Sequence, residues 1–527
     1  MPLLGVLLLA PAAPGGAQPR AEGIARASDQ TYRRPLGNDP AAIDPARVSD
    51  IYGLSVSEQI FDGLVQFDQT LTVMPSLAQF WKASRDGLTW TFMLRKNVKF
   101  HHGRELTSDD VVFSLTRLLD PRTASGGADF FVNIKGAREF REGRAKSVAG
   151  IAALDRYTVE IALVESFAPF VSLLALGHAK IVPRDIVEAR GDAFGAQPVG
   201  SGPFRFVQWD HGKEIVLAGN PDYFDGPPAL SRLVYRIFSG DSTAAMFKQF
   251  EQGALEDAPV PTGQRLGSGD PRFQYIRRTT YSARFYGFNT RVKPLDDRRV
   301  RQAIVHAVDR DTILHEVFLD RFHPARGIIP PGTPGFDPSL QGFAYDPARA
   351  RDLLRQAGYS AARPLPVIPA WSTARSETVV REHEMMKRAL AAVGVSLDVR
   401  YQQDWPSFLR LLGEGRAPMF LYAWHADAPD PDNFLFKLFH SRGPRNFFGY
   451  ANPAFDDLIR RARSEPDPTR RVELYRRAER MVLDDAVILP VWHYVYEHVF
   501  QPYVRSVQVN GLGDPYIPMR KIWLDRR

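Results

Sequence analysis

Cysteine is absent from all 527 residues. That absence removes disulfides, thiolate metal centres, cysteine nucleophiles and a lipid-modified amino-terminal cysteine. Long apolar runs are missing too. Leu3–Ala10 is a short one, well below the ~20 residues that cross a bilayer. Small residues and Gly15-Gly16-Ala17 follow it, so residues 1–23 read as a signal peptide with a disordered start, cut near Ala17. No basic residue precedes the apolar run, which departs from the usual signal pattern. There is also no block of like charge. The net charge of +7 is spread over 67 Lys and Arg against 60 Asp and Glu. A dispersed excess of this kind argues against nucleic acid, whose phosphates call for cations gathered on one face.

The motifs of common enzyme classes are also lacking. A helical zinc site needs His-Glu-x-x-His, but His383-Glu384 is followed by Met385, Met386 and Lys387, and His315-Glu316 meets Leu319. His101-His102 and His493 with His498 have no partner at metal-ligand spacing. Gly200-Ser201-Gly202 has the wrong spacing for a nucleophile elbow, and no phosphate-cradling glycine loop occurs. Asp427, Asp430, Asp432 and Asn433 lack the loop glycine and terminal Glu of a calcium loop, and Pro429 and Pro431 stiffen them into a turn. No metal, no cofactor and no catalytic residue is expected.

What is present is an alternation of strand-like and helix-like segments in a chain long enough for two to four domains. Thr89 to Phe100 places Trp90, Phe92 and Leu94 on one face and continues through Val98 and Phe100. YTVEIAL, KEIVLAG and LVYRIF have the same period of two. Thr107 and Asp110 form a capping box ahead of Val111, Leu115, Leu118 and Leu119. Asp346-Pro347 and Asn452-Pro453 each pair a cap with a first-turn proline. Pro and Gly clusters at Gln197–Pro203 and Asn220–Pro228 read as turns. A larger break falls at residues 282–290, after which the chain is more helical until about residue 490. VILPVWHYVYEHVF then reads as a strand returning to the first lobe, and two crossing strands make a hinge.

Five stretches in order resemble family 5 extracellular solute-binding proteins, the dipeptide- and oligopeptide-binding components of ABC importers. They are IDPARVSDIYGLSVSEQIFDGLVQFD with the PSLAQFW…LLDP segment after it, VGSGPFRFVQWDHGKEIVLAGNPDYFDGPP, PLDDRRVRQAIVHAVDRDTIL, AWHADAPDPDNFLFKLF and ILPVWHY. The resemblance runs from about residue 31 to the end. It implies an α/β, two-lobed periplasmic-binding-protein fold of class II and large type, with an extra subdomain in the first lobe and a two-strand hinge. The expected division is lobe I at 24–285 plus 496–527, its subdomain at about 62–180, and lobe II at 286–495. The implied protein is a monomeric, exported receptor without a lipid anchor, which delivers a peptide or other small solute to permease subunits at the membrane.

The resemblance also implies site residues. Asp427, three residues after Trp424, takes the place of the carboxylate that pairs with a peptide's α-ammonium. Buried from water, such a carboxylate calls for a cation. Trp424 and Trp405 match positions that wall side-chain pockets, where a large apolar face with one N–H donor is useful. Asp50, Ile51 and Tyr52 match the segment whose backbone pairs with an extended peptide. Arg375, with Arg381 nearby, is the candidate for the peptide carboxylate. The rival readings keep the fold and change the ligand to a metal chelate, sugar or other small molecule, or replace binding with an exported hydrolase.

Overall fold

The period-two segments Thr158–Ala162, Glu214–Gly219 and Arg232–Ile237 are strands in the computed structural model, which describes residues 29–526 apart from 239, 241, 262, 263, 265 and 267–269. The signal-peptide reading of residues 1–23 lies outside the described residues. Thr31–Leu36 runs parallel to Arg232–Ile237, and Glu214–Gly219 and Phe204–Asp210 complete that four-stranded sheet antiparallel. A second sheet joins Ala78–Ala83, Thr89–Leu94, Thr158–Ala162 and Ile151–Asp155, and it has its own core with the helix Ser108–Leu119. Asp110 caps that helix by accepting the Thr107 N–H at 3.0 Å, and Val111, Leu115, Leu118 and Leu119 are buried. The strand read as running to Phe100 stops at Leu94. Asn97 has a left-handed φ of 63°, which ends the ladder, while Val98 and Phe100 still enter the core as loop residues.

The other half centres on a six-stranded sheet in the order His323–Pro324, Ile488–His493, Ser282–Phe288, Met419–His425, Ile368–Ser372, Leu397–Tyr401. Ser282–Phe288 is buried at every position because both faces of the sheet are covered. Phe285 belongs to one core and Tyr286 to the other. The helices on these faces start where Asp-Pro and Asn-Pro predicted. Asp346 accepts from Arg349 N at 2.8 Å, and Asn452 accepts from Ala454 N at 3.1 Å.

Two antiparallel stretches connect the halves. Gln274–Thr279 pairs with Val495–Phe500 in a three-stranded sheet of the first half, and Ser282–Phe288 pairs with Ile488–His493 in the second. The crossing therefore falls at 280–282 and 493–495, and a boundary at 285/286 cuts through one strand. Thr280 N–H donates to the Tyr494 carbonyl at 2.8 Å, and Tyr494 N–H donates to Ser282 Oγ at 3.0 Å. The Gln197–Pro203 cluster is more than a turn. A Cβ at Gly200 would stand 2.0 Å from the Ile60 carbonyl oxygen, so the glycine is required by close backbone approach.

Candidate ligand cleft

The strand Met419–His425 delivers Trp424 to the edge of a cavity of about 1660 Å³. Its chain then turns through Pro429 and Pro431 into the helix Asp432–Phe439. Phe434, Leu435, Leu438 and Phe439 bury one stripe of that helix, which leaves Asn433 and Lys437 together on another face, four residues apart. Asn433 organises the corner. Its Oδ1 accepts from the Trp424 indole N–H at 3.0 Å and from Asp427 N–H at 3.2 Å, and its amide donates to Asp427 Oδ2 at 3.3 Å. Lys437 Nζ donates to the same Oδ2 at 2.7 Å.

The far wall comes from the first lobe and includes Phe130, Phe167, Pro169 and Leu173. Lys437 Nζ stands 4.2 Å from the centre of the Phe130 ring, a cation–π contact between the lobes. Arg463 does the same beside it, stacked 4.0 Å over Phe436 and 4.8 Å over Phe167, while its carbonyl accepts from Ala168 N–H at 3.0 Å. Burial pushes the pKa of His178 down, and the charge of Asp427 is close enough to act on it in the opposite sense. His178 Nε2 lies 3.2 Å from the Val48 carbonyl, which ties the first-lobe segment before Asp50 to this corner.

Other acids of the corner are committed to structure. Asp430 grips Arg471 through both oxygens at 2.8 and 2.7 Å, and Asp432 accepts from Tyr475 at 3.0 Å. Burial raises the Asp432 pKa, with Arg463 opposing it. A second cavity of about 70 Å³ lies inside the first lobe beside Glu58, Asp62, Lys180 and Arg520. It has room for a few waters rather than a solute.

Of the residues singled out in the sequence, Trp424 and Asp427 line the large cavity. Trp405 does not. It starts the helix Trp405–Gly413, is 47% exposed, and stacks on Tyr422 with ring centres 5.9 Å apart. Arg375 lies exposed in a loop with its guanidinium 5.3 Å from the Tyr401 ring, and Arg381 lies exposed on the helix Glu377–Ala391. Neither arginine joins the cavity lining. Asp50 caps the helix Ile51–Ile60, accepting from Gly53 N at 2.7 Å and from Ala41 N at 3.1 Å. Ile51 and Tyr52 are therefore in the first turn of a helix, whose start the Asp50 carboxylate caps. Phe130, His178, Lys437 and Arg463 were not read from the sequence, and Asn433 was read only as part of a cluster that lacks the pattern of a calcium loop. The i, i+4 spacing of Asn433 and Lys437 behind Asp-Pro-Asp was the one local signal that could have found any of them.

Residues 72–446 match the family described as bacterial extracellular solute-binding proteins, family 5 middle. The chain belongs to this family. It is 31% identical over 474 residues to di/tripeptide-binding protein 2 of Pseudomonas aeruginosa (strain UCBPP-PA14), across 86% of this chain and 88% of that one. Heme-binding protein A of Haemophilus influenzae is 30% identical over 513 residues, across 92% and 90% of the two chains. Among solved structures, the unliganded open form of the murein tripeptide-binding protein MppA aligns with a TM-score of 0.82 at 26% identity, covering 94% of this chain and 98% of that one. Helicobacter pylori DppA in complex with the peptide STSA gives 0.76 at 26% identity, with the same coverage. The fold is accordingly the two-lobed one of solute-binding proteins, with the α/β content expected from the sequence.

Proposed function

We propose that this protein is an exported, non-enzymatic receptor that closes its two lobes on a small peptide and presents it to an ABC importer. The observation that carries the reading is the corner at Asp427. A carboxylate on one lobe, oriented by Asn433 and flanked by Trp424, stands close to Phe130 and His178 of the other lobe, on the wall of a cavity large enough for a peptide. In this reading Asp427 takes the peptide's α-ammonium and Trp424 walls its first side chain. Contacts made to both lobes at once favour the closed state, since the open state offers only one set. The peptide-binding names of several relatives support the ligand class. Monomeric action, a periplasmic location and the permease partner belong to the same proposal. So does the division into a first lobe built from both ends of the chain, its subdomain at about 62–180, and a second lobe between the crossings at 280–282 and 493–495.

Calorimetry with a free-amine tripeptide and its N-acetyl form tests the assignment. Asp427→Ala is expected to lose most of its affinity for the free amine and to leave the weaker N-acetyl binding unchanged. Equal binding of both peptides by the wild type and the variant sinks it. A second reading, a non-peptide solute in the same cleft, draws support from the Lys437 ammonium already on Asp427 and from the heme-binding relative. It predicts indifference to peptides of any kind.

A further inference from the structure

Asp427 is a shared carboxylate. Its Oδ2 takes both Lys437 Nζ at 2.7 Å and the Asn433 amide at 3.3 Å, while its Oδ1 accepts no hydrogen bond among the described residues. Its side chain is 39% exposed. An incoming ammonium can therefore settle on Oδ1 without expelling Lys437, whose Nζ also stands 4.2 and 5.6 Å from the centres of the Phe130 and Trp424 rings. Two ammonium groups on one carboxylate leave one positive charge without compensation. In a cleft that closes over it, that charge is costly unless the solute itself supplies an anion.

The surrounding wall has the same bias. The second-lobe acids beside Asp427 are already engaged: Asp430 with Arg471, Asp432 with Tyr475 and Arg463, and Asp456 with the Ser441 N–H, while the acids Asp129, Glu139 and Glu165 of the same cavity belong to the first lobe. Arg442 and Arg445 line the same cavity and hold no acidic partner among the described residues. The Arg445 N–H donates to the Lys437 carbonyl at 2.9 Å, so these cations sit on the chain segment that packs against the Lys437 turn. The second-lobe wall thus presents committed carboxylates and uncommitted guanidinium groups.

We propose that Lys437 is a specificity-determining residue of the cleft, selecting peptides that carry a carboxylate close to their free amine, on the side chain of the first or second residue. The pair Asp427–Lys437 is the complement of such a head: Asp427 meets the ammonium and Lys437 meets the acid. This inference rests on the amino-end reading of Asp427 given above.

The test is calorimetry of Asp-Ala-Ala, Ala-Asp-Ala and Ala-Ala-Ala with the wild type, Lys437→Met, Lys437→Arg and Asp427→Asn, each checked for folding by circular dichroism. The wild type and Lys437→Arg are expected to bind at least one acidic peptide about tenfold tighter than Ala-Ala-Ala, a difference typical of a close charge pair. Lys437→Met is expected to bring the three peptides to similar affinities. Equal affinities in the wild type, or a preference for acid that survives in Lys437→Met, overturn the inference while leaving the amino-end reading intact if Asp427→Asn still weakens all three. Unchanged binding in Asp427→Asn overturns the amino-end reading itself and the inference with it, as does a wild type that binds none of the three.

Discussion

His493 Nδ1 lies 2.7 Å from the carbonyl oxygen of Ser282, at the point where the two strands joining the lobes cross. The imidazole is buried, and burial pushes its pKa down to about 4. The folded value lies below the unfolded one near 6.5, so His493 contributes stability that is present above pH 6.5 and lost as pH falls toward 4. At pH 5 the loss should be about 2 kcal/mol. Urea unfolding of His493→Gln at pH 7.5 and pH 5 is expected to show a fall smaller than that of the wild type by about this amount. An unchanged pH slope would contradict it.

Glu479 has the opposite sign. Its Oε1 accepts from Ile328 N at 2.7 Å and Ile329 N at 2.9 Å, and burial raises its pKa to about 7. A carboxyl raised above its unfolded value favours the folded state at low pH and gives that advantage up as pH climbs from about 4.5 to 7. Between pH 5 and pH 8 the wild type should lose about 2–3 kcal/mol relative to Glu479→Gln, whose amide cannot ionise. Paired denaturation curves at the two pH values measure this directly.

The Asp430–Arg471 pair fixes the turn that aims Asp427. Both side chains are nearly buried, with two contacts at 2.8 and 2.7 Å. Arg471→Met leaves Asp430 without its cation, and unfolding free energy should drop by about 3–5 kcal/mol. Adding Asp430→Asn to that variant should recover part of the loss. A double variant no better than the single one would show that the pair is not the source of the deficit.

Asn433 reaches Trp424 and Asp427 together, so it orients the corner without itself offering a charge. Asn433→Ala should weaken free-amine peptide binding by about tenfold, and melting should shift by only a few degrees. Calorimetry and thermal melting separate the two effects. Full affinity in the variant would mean that Asp427 holds its position unaided.

Much of the secondary structure was legible because its causes are local. Asp346, Asn452 and Asp110 cap their own helices, and period-two burial in Thr158–Ala162 follows from pleat alone. Asn97 was a harder case: one left-handed residue ended a strand whose apolar alternation ran on to Phe100. Trp424 and Asp427, singled out from their motif, both line the large cavity. Trp405, Arg375 and Asp50–Tyr52 carry motif positions too, and packing places them off the lining of that cavity: in a stack on Tyr422, a contact with Tyr401, and a helix start.

By itself the sequence determined that the chain has no thiol chemistry, that strands alternate with capped helices, and that a carboxylate and an indole stand three residues apart ahead of a proline-stiffened turn. Tertiary structure alone decided which charge meets that carboxylate. Lys437 is ten residues from Asp427, and Phe130 is about three hundred residues from both. Bringing the three together requires a helix to turn back on its strand, and two strands to cross at Ser282 and His493 so that one lobe faces the other. Such long-range contacts depend on sheet order and lobe packing, and no local periodicity encodes them.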